Sequence, residues 1–400
     1  MQYVLVFNSG SSSFKFSLFP SGSDTPVLNG SAERLGADDA RMRMVHADGK
    51  SLDLTFACDH PLAIQTLVEK LPEFGFSFAE VQVVGHRVVH GGESFAGSVL
   101  VSAESLAAMR ACNPLAPLHN PANLMGIEIL AQLYPALPQV AVFDTAFHQT
   151  LPKEAYLYPV PYHLYRDSGV RRYGFHGTSH RYVSQACIAQ LGLATEDNQL
   201  LVAHLGNGCS ATAVRNGQSV DTTMGLTPLE GLVMGTRSGD VDPSLHQFLQ
   251  ANLGWDLDRI TDMLNRESGL LGLSELSNDM RELQQAADNG NCQAALAIEV
   301  FCFRLARQLA GLAASLSRLD ALVFTGGIGE NNPYIRARVA ERLTLLGLTV
   351  DAGRNRDHGK SSGGTISCDG DGPKVMVIKT NEEALIARDA LALVSSEVTC

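Results

Sequence analysis

A short apolar strand, a polar turn containing glycine and a second apolar strand occur twice in this chain of 400 residues. The first copy consists of residues 3–7, the turn 8–13 and residues 14–19. The second copy consists of residues 201–204, the turn 205–210 and residues 211–214. Apolar runs bounded by polar turns are typical of buried strands. Two such units suggest a duplicated α/β domain with a cleft between the halves, although the spacing alone leaves the duplication undecided.

Further helical and strand patterns follow each copy. We predict helices over 103–110, 122–133 and 291–319, and strands over 81–84, 321–324 and 375–378. The last strand leads into Thr380-Asn381-Glu382-Glu383, where Thr380 and Glu383 have the spacing of a capping box for a helix to about residue 394. If Glu383 reaches back to the cap, Glu382 is left free. Since a chain of this length usually forms two domains, we place one at 1–147 plus about 380–400, and the other at 148–379.

The charge balance excludes several classes of partner. Lys and Arg number 30 against 42 Asp and Glu, a formal net charge of −12, and an acidic surface repels nucleic acid and anionic membranes. A small anionic ligand stays compatible, because a few basic side chains can dominate one cleft. The eight cysteines include no CxxC pair, the N-terminus has no signal-peptide pattern, and no apolar run approaches the ~18 residues of a membrane span. We expect a soluble cytoplasmic protein.

The first turn offers groups that suit a phosphate. It has several hydroxyls, backbone N–H groups near Gly10 and the ammonium of Lys15, and its alternative is an ordinary serine-rich hairpin. A third glycine-rich turn, 325–331, follows a predicted strand. A standard P-loop is absent, because Arg354 stands where the motif ending in Gly359-Lys360-Ser361 needs glycine, and no GxGxxG opens a helix after a strand.

Two arginines lie in glycine-containing segments. Arg87 follows the predicted strand 81–84 and Arg237 lies in a turn. Arginines delivered by loops would hold a carboxylate and a transferring phosphoryl group with their planar guanidinium forks. For Arg87 the alternative is an exposed strand end. Asp144 ends another strand pattern, as either a capping residue or a catalytic acid.

His176 opens the segment His-Gly-Thr-Ser-His. The spacing is that of a zinc-binding helix, but Gly177 occupies the position of the required glutamate, which argues against a metalloprotease. We expect His176 to donate a hydrogen bond to an anion, and Thr178 or Ser179 to cap a helix that begins near His180.

Taken together, these stretches resemble the acetate kinase family over nearly the whole chain. The resemblance rests on NSGSSSFK, GHRVVHGG, PLAPLHNPAN, VAVFDTAFHQT, RRYGFHGTSHRYV, HLGNGCSATAVRNG, DTTMGLTPLEGLVMGTRSGD, FTGGIGEN and TNEE, which occur in the family's order. It implies an α/β fold of duplicated ribonuclease-H-like domains, of the actin, sugar-kinase and heat-shock ATPase type, with an interdomain cleft. It also implies a homodimer.

The resemblance further implies roles for individual residues. Asn8 and Glu382 would hold Mg²⁺, with Mn²⁺ as an alternative. The catalytic group would comprise Arg87, Asp144, His176 and Arg237. The methyl group of acetate would lie among Val89, Leu118, Phe175 and Pro228, with Arg87 binding the carboxylate. ATP or ADP would contact Ser11, Ser13, Lys15, His204, Leu205, Gly206, Asn207, Gly208, Asp279, Met280, Arg281, Gly327, Ile328, Gly329, Glu330 and Asn331.

The implied reaction is the reversible, direct in-line transfer of the γ-phosphoryl group of ATP to acetate, giving acetyl phosphate and ADP. Acetate is ionised at pH 7 and needs no general base, so we assign Asp144 to orientation rather than to proton transfer. Propionate kinase is the nearest alternative, and Val89, being bulkier than alanine, favours acetate. A non-catalytic ATP-driven machine and a phosphatase or nucleotidase are alternatives from other classes.

Overall fold

The computed structural model describes residues 1–397, which divide into two compact units. The first unit comprises Met1–Gln149 and the segment from Asn381 onward, and the second comprises Thr150–Thr380. Within residues 1–397 no helix combines the length and the hydropathy that crossing a membrane requires.

The first unit is built on an eight-stranded sheet. Its strands are β1 (Tyr3–Ser9), β2 (Ser13–Pro20), β3 (Leu28–Glu33), β4 (Arg41–His46), β5 (Ser51–Thr55), β6 (Val81–Val88), β7 (Val99–Leu100) and β8 (Gln139–Phe143). The spatial order is β5-β4-β3-β2-β1-β6-β8-β7. Strands β1 to β5 form an antiparallel meander, whereas β6 runs parallel to β1, and β8 parallel to β6.

Helices cover both faces of this sheet. They are α1 (His60–Lys70), α2 (Ala103–Ala111), α3 (Asn120–Leu133) and α15 (Glu382–Glu397). Residues 3–7 of β1 are all apolar because this part of the strand is buried on both faces: Leu5 and Phe7 enter one core, while Val4 and Val6 enter the core under α15. Gly85 allows α15 to approach β6, since a Cβ there would lie 2.7 Å from Ile386 Cγ2.

The second unit has a five-stranded sheet. Its strands are β9 (Gln199–Leu205), β10 (Cys209–Arg215), β11 (Gln218–Thr222), β12 (Ala321–Thr325) and β13 (Lys374–Val377), in the order β11-β10-β9-β12-β13. Its helices are α4 (Lys153–Tyr156), α5 (His163–Ser168), α6 (Gly177–Leu191), α7 (Leu245–Leu253), α8 (Leu257–Arg266), α9 (Gly269–Ser274), α10 (Met280–Asp288), α11 (Cys292–Leu312), α12 (Gly326–Asn331), α13 (Pro333–Glu341) and α14 (Ala352–Arg356).

The two sheets share one topology. The order β3-β2-β1-β6-β8 of the first unit matches β11-β10-β9-β12-β13 of the second, with an antiparallel meander followed by two parallel strands in both. This is the ribonuclease-H-like arrangement, and it confirms the predicted duplicated α/β fold. Each sheet also packs against a helix that lies outside the stretch of chain forming its strands. Helix α6 precedes β9, the first strand of the second sheet, and α15 follows β13 but packs on β6 and β8 of the first sheet.

Several predicted boundaries need correction. Helix α11 ends at Leu312 rather than at residue 319, because a turn of 3₁₀ helix over Ala313–Ser315 follows it and Leu316 is extended. The predicted glycine-rich turn at 325–331 is mostly the short helix α12. The capping box before α15 is wrong: Asn381 Oδ1 accepts from the Ala384 N–H at 3.1 Å, while Glu383 Oε2 accepts from Ser17 Oγ at 2.6 Å.

Candidate active site

Arg87 and Asp144 form a bidentate ion pair in the first unit. Arg87 Nε lies 3.0 Å from Asp144 Oδ1, and Nη2 lies 2.6 Å from Oδ2. Arg87 lies inside β6 rather than in a loop as predicted, because β6 continues past residue 84. Asp144 directly follows the parallel neighbour β8 and donates its backbone N–H to Val88 O at 3.0 Å. Parallel strands end at the same sheet edge, so two segments distant in the sequence meet here.

The electrostatics of this pair fix the charge of Arg87. Asp144 is 2% exposed, and its charge raises the pKa of Arg87, against the lowering effect of burial, with a smaller contribution from the charge of Glu382. Arg87 therefore stays cationic at every physiological pH, in one orientation. Glu382, at the first position of α15, belongs to the same electrostatic group.

The first hairpin presents the side chains predicted to meet phosphates and metal. Asn8 pairs with Lys15, and Ser9 with Phe14, which leaves the turn Gly10–Ser13. The Gly10 N–H donates to Ser13 O at 2.7 Å and therefore closes the turn; a phosphate contact from the other N–H groups near Gly10 stays a prediction. Among residues 1–397, however, the side chains of Asn8, Ser11, Ser13 and Lys15 make no hydrogen bond or ion pair with the protein.

In the second unit, Arg237 and His176 approach the same point of the β9–β10 turn. A Cβ on Gly208 would lie 3.2 Å from Arg237 Nη2 and 3.4 Å from His176 Nε2. Arg237 Nη1 donates to Pro228 O at 2.7 Å, and burial lowers the pKa of Arg237. Within residues 1–397 no carboxylate pairs with Arg237. A desolvated guanidinium without an acid attracts an anionic ligand.

His176 occupies the N-cap of α6 with a φ of 56°. This left-handed conformation is uncommon for a residue with a side chain, and such strain concentrates at functional sites. The helix begins at Gly177, so the prediction that it starts near His180 with Thr178 or Ser179 as the cap is wrong. Instead, Ser179 Oγ lies 2.8 Å from His204 Nδ1 and 2.7 Å from Thr380 Oγ1.

Ser210 is a residue that the sequence reasoning missed. Its Oγ lies 2.9 Å from His176 Nδ1 and 2.7 Å from His180 Nε2, and Ser210 pairs directly with His204 across β9 and β10. The rings of His176 and His204 are 4.5 Å apart. Ser210 lies in the motif that follows Gly208, so the signal was present, but a serine in a strand does not by itself indicate a histidine partner.

A second missed cluster holds the loop of Pro228. Glu230 pairs with Arg172 Nη2 at 2.5 Å and accepts a hydrogen bond from the Tyr158 hydroxyl. Burial, then the charge of Glu230, raise the pKa of Tyr158, which therefore stays a donor. Because Pro228 O receives Arg237 Nη1, this cluster indirectly positions Arg237.

A cavity of about 470 Å³ in the second unit is lined by half of the residues predicted to bind nucleotide. It is lined by Gly206, Asn207, Asn278, Asp279, Met280, Arg281, Gly327, Ile328, Asn331 and Asn332. Asp279 caps α10 through the Arg281 N–H and pairs with the Arg281 side chain, which lowers the pKa of Asp279 to about 2. The cavity therefore has a fixed carboxylate and an exposed guanidinium at its edge.

Other predicted nucleotide residues hold the surrounding structure. His204 and Leu205 belong to β9, and Gly329 lies inside α12. Glu330 Oε1 accepts from the N–H groups of Gly326 and Thr380 at 3.0 and 3.1 Å, so this carboxylate ties α12 to the end of the unit. Arg336 is fully buried and donates to Gly329 O at 2.7 Å.

The four residues predicted to surround the methyl group of acetate are divided between the two units. In the first unit Val89 is half-buried and Leu118 is 73% exposed. In the second unit Phe175 is 2% exposed and Pro228 is half-buried. The Val89 backbone is fixed, because its N–H donates to Asn123 Oδ1 at 3.1 Å. The pocket itself stays a prediction.

The repeated sheets and the glycine-lined cavity define a protein of the actin and sugar-kinase ATPase class. Residues 3–388 match the model of the acetokinase family, and the chain therefore belongs to that family. It is 55% identical over 390 residues to an acetate kinase of Ectopseudomonas mendocina, covering 98% of both chains.

Solved structures agree with this assignment. The crystal structure of Porphyromonas gingivalis acetate kinase has a TM-score of 0.93 at 39% identity, over 98% of this chain and 100% of that one. A propionate kinase from Francisella tularensis has a TM-score of 0.91 at 44% identity, with the same coverage.

Proposed function

We propose that this protein transfers the γ-phosphoryl group of ATP to acetate, reversibly and in line, giving ADP and acetyl phosphate. The observation that carries the proposal is the approach of Arg237 and His176 to one point at Gly208. The same unit holds the cavity of about 470 Å³ in which we place the nucleotide. Two nitrogen donors at such a point would stabilise charge on a transferring phosphoryl group.

The proposed reaction requires that the negative charges of the two substrates be compensated, and it does not require a proton transfer. Acetate and ATP are both anions at pH 7, so bringing them together is the main barrier that the protein must lower. Arg87 would bind the acetate carboxylate, and Asp144 would fix the direction of the Arg87 guanidinium through two hydrogen bonds. In this proposal Asp144 is an orienting residue and not a proton carrier, which is the role assigned to it from the sequence.

A divalent metal fits the residues of the first unit. The Asn8 amide makes no hydrogen bond within residues 1–397, and Glu382 adds a carboxylate. Amide and carboxylate oxygens are ligands that Mg²⁺ prefers, usually together with water and substrate phosphates. The part of the chain that the structure describes holds no group of three or more His, Cys, Asp or Glu for a metal, in keeping with a metal that arrives with its nucleotide. We propose Mg²⁺, which would neutralise phosphate charge.

We further propose that the two units are the two lobes expected from the sequence, and that the protein is a cytoplasmic homodimer. Helix α7 supports a dimer, because none of its residues is buried within this chain. Phe248, Leu253 and Leu257 on α7 and at the start of α8 are more than half exposed, and an apolar surface of this kind is typical of an interface. Sedimentation of the wild type and of Phe248→Glu tests this, with a dimer expected only for the wild type.

The activity is tested by trapping acyl phosphate as the hydroxamate, with ATP, Mg²⁺ and acetate, propionate or butyrate. We expect formation to depend on the carboxylate and to be fastest with acetate. Phosphate release that is independent of acetate would instead indicate a phosphatase or nucleotidase. ATP turnover with no acyl phosphate would indicate an ATP-driven machine.

Propionate remains the second candidate substrate, because the Francisella tularensis neighbour is titled a propionate kinase. We expect Val89→Ala to raise the ratio of kcat/KM for propionate over acetate by about tenfold, since a methylene is worth roughly 1–3 kcal/mol in an apolar pocket. Val101→Ala, at another half-buried valine of the first unit, is the control. An unchanged ratio would remove Val89 from the pocket.

A further inference from the structure

We propose that Ser210 is a positioning residue that holds His176 as the neutral tautomer with its proton on Nε2, ready to donate to the phosphoryl group. This inference rests on the proposed phosphoryl transfer. Ser210 is fully buried on β10. Within residues 1–397 its hydroxyl meets two ring nitrogens, His176 Nδ1 at 2.9 Å and His180 Nε2 at 2.7 Å.

The first turn of α6 brings the two imidazoles to one hydroxyl. His180 N–H donates to His176 O at 2.9 Å, so the residues stand one helical turn apart on the same face. His176 reaches back from the N-cap in its left-handed conformation, and His180 is fully buried. The geometry therefore joins His180, Ser210 and His176 in a chain of two hydrogen bonds.

Proton counting restricts this chain. A serine hydroxyl has one proton to donate, so it donates to one ring nitrogen and accepts from the other. In one state His180 Nε2–H donates to Ser210, and Ser210 donates to His176 Nδ1, which places the proton of neutral His176 on Nε2. In the reverse state the neutral His176 presents a lone pair at Nε2. If both rings donated, a buried hydroxyl proton would have no acceptor, at a cost of about 1–3 kcal/mol.

The surroundings of Nε2 select the first state. Nε2 and Arg237 Nη2 both lie within 3.5 Å of the Cβ position of Gly208, so an anion attracted by Arg237 meets His176 at Nε2. A lone pair there would repel the anion, whereas an N–H donates to it. A cationic His176 would lie beside the Arg237 guanidinium, since both groups approach the Cβ position of Gly208, and two like charges at close range disfavour the cationic form. The neutral Nε2–H form supplies a donor without that cost.

The tautomer can be read directly in the wild-type protein, without reference to activity. Long-range ¹H–¹⁵N spectra of the histidine rings distinguish Nε2–H from Nδ1–H, and the His176 signals are assigned by their loss in His176→Gln. We expect neutral His176 to carry its proton on Nε2, and the Nδ1–H form to gain population in Ser210→Ala. A wild-type His176 protonated on Nδ1 would overturn the proposal.

A double-mutant cycle shows whether Ser210 acts through His176. We expect Ser210→Ala to lower kcat about 100-fold, the scale of a misplaced catalytic contact, with KM for acetate and ATP within about twofold. In a His176→Ala background the same change should cost less than about twofold, because coupled residues are not additive. An equal loss in both backgrounds would show a structural role and would contradict the proposal.

Thr212→Val is the matched control. Thr212 lies two residues further along β10, is fully buried, and its hydroxyl hydrogen-bonds Thr222 Oγ1 at 2.9 Å. It should change kcat equally little in both backgrounds. The proposed function fails separately, if the wild type forms no acyl phosphate; the spectra of the histidine rings would still decide the tautomer in that case.

Discussion

The arginine of the first unit and the arginine of the second unit are held by different kinds of partner. Arg87 is clamped by the buried carboxylate of Asp144 through two hydrogen bonds. Arg237 is half-buried and has no carboxylate partner among residues 1–397, and its Nη1 donates to one backbone carbonyl. Two sheets of one topology thus carry a neutralised cation in one unit and a desolvated, uncompensated cation in the other. The difference indicates that Arg87 orients a ligand, whereas Arg237 supplies net positive charge.

The largest expected effect is on turnover at Arg237. We expect Arg237→Ala to lower kcat about 10³- to 10⁵-fold at saturating acetate, as for arginines that stabilise phosphoryl charge. Steady-state kinetics measure the effect, and Arg259→Ala is the control. Arg259 stacks on Trp255 and pairs with Glu267. Near-normal turnover in Arg237→Ala would make the two units equivalent and remove this role.

The same comparison predicts that the two arginine variants lose unequal amounts of stability. Arg87→Ala leaves the buried Asp144 without its guanidinium, and breaking a buried pair costs about 3–5 kcal/mol. Arg237→Ala leaves no buried acid behind and should cost less than about 1 kcal/mol. Chemical denaturation measures both. The double variant Arg87→Ala/Asp144→Ala should recover part of the loss, and its failure to do so would show that the stability does not reside in the ion pair.

Acid should destabilise the first unit through its buried histidines. Burial lowers the pKa of His86 and of His90 to about 4, against about 6.5 in the unfolded chain. The unfolded state therefore binds more protons between pH 6.5 and 4, and stability, complete above pH 6.5, falls as the pH decreases through this window. Each histidine contributes about 3 kcal/mol.

The pH dependence of the unfolding free energy measures this effect. His86→Gln should remove about half of the decrease between pH 6.5 and 4, because one of the two histidines is then absent. His163→Gln, at an exposed histidine of the second unit, is the control and should leave the slope unchanged. A slope that survives His86→Gln intact would mean that other groups carry the acid sensitivity.

The smallest expected effect is a change in stability at Ser9, where β1 meets the turn of the first hairpin. Ser9, the last residue of β1, has a buried Oγ with no hydrogen bond within residues 1–397. The last residue of the corresponding strand β9 in the second unit, Leu205, is a buried hydrophobe. Ser9→Ala should leave stability unchanged or raise it by up to about 1 kcal/mol, since an unpaired hydroxyl costs free energy when buried. Ser17→Ala, which loses the contact to Glu383, should instead destabilise. Thermal denaturation of both variants checks the sign.

Much of the fold could be predicted because local patterns sufficed. The apolar runs that became β1 and β9 are buried on both faces, and the turns after them contain glycine, so strand and turn were both evident. The predicted ends of helices and strands were less accurate where tertiary contacts compete with local sequence preference. Thr380 has the residue type of an N-cap, yet it hydrogen-bonds Ser179 and leaves the cap to Asn381. Arg87 looked like a loop residue, yet strand pairing with β8 extends β6 through it.

The amino-acid sequence by itself determined the strand–turn–strand repeat, the family and the identity of the charged groups, since these are properties of short segments and of residue types. Only the tertiary structure decided which group meets which. Asp144 binds Arg87 because two parallel strands end at one edge, and Ser210 meets His176 and His180 because α6 starts at Gly177 and packs on β9. Such contacts join residues that are far apart in the chain, and their hydrogen bonds depend on distances and angles that no local pattern encodes.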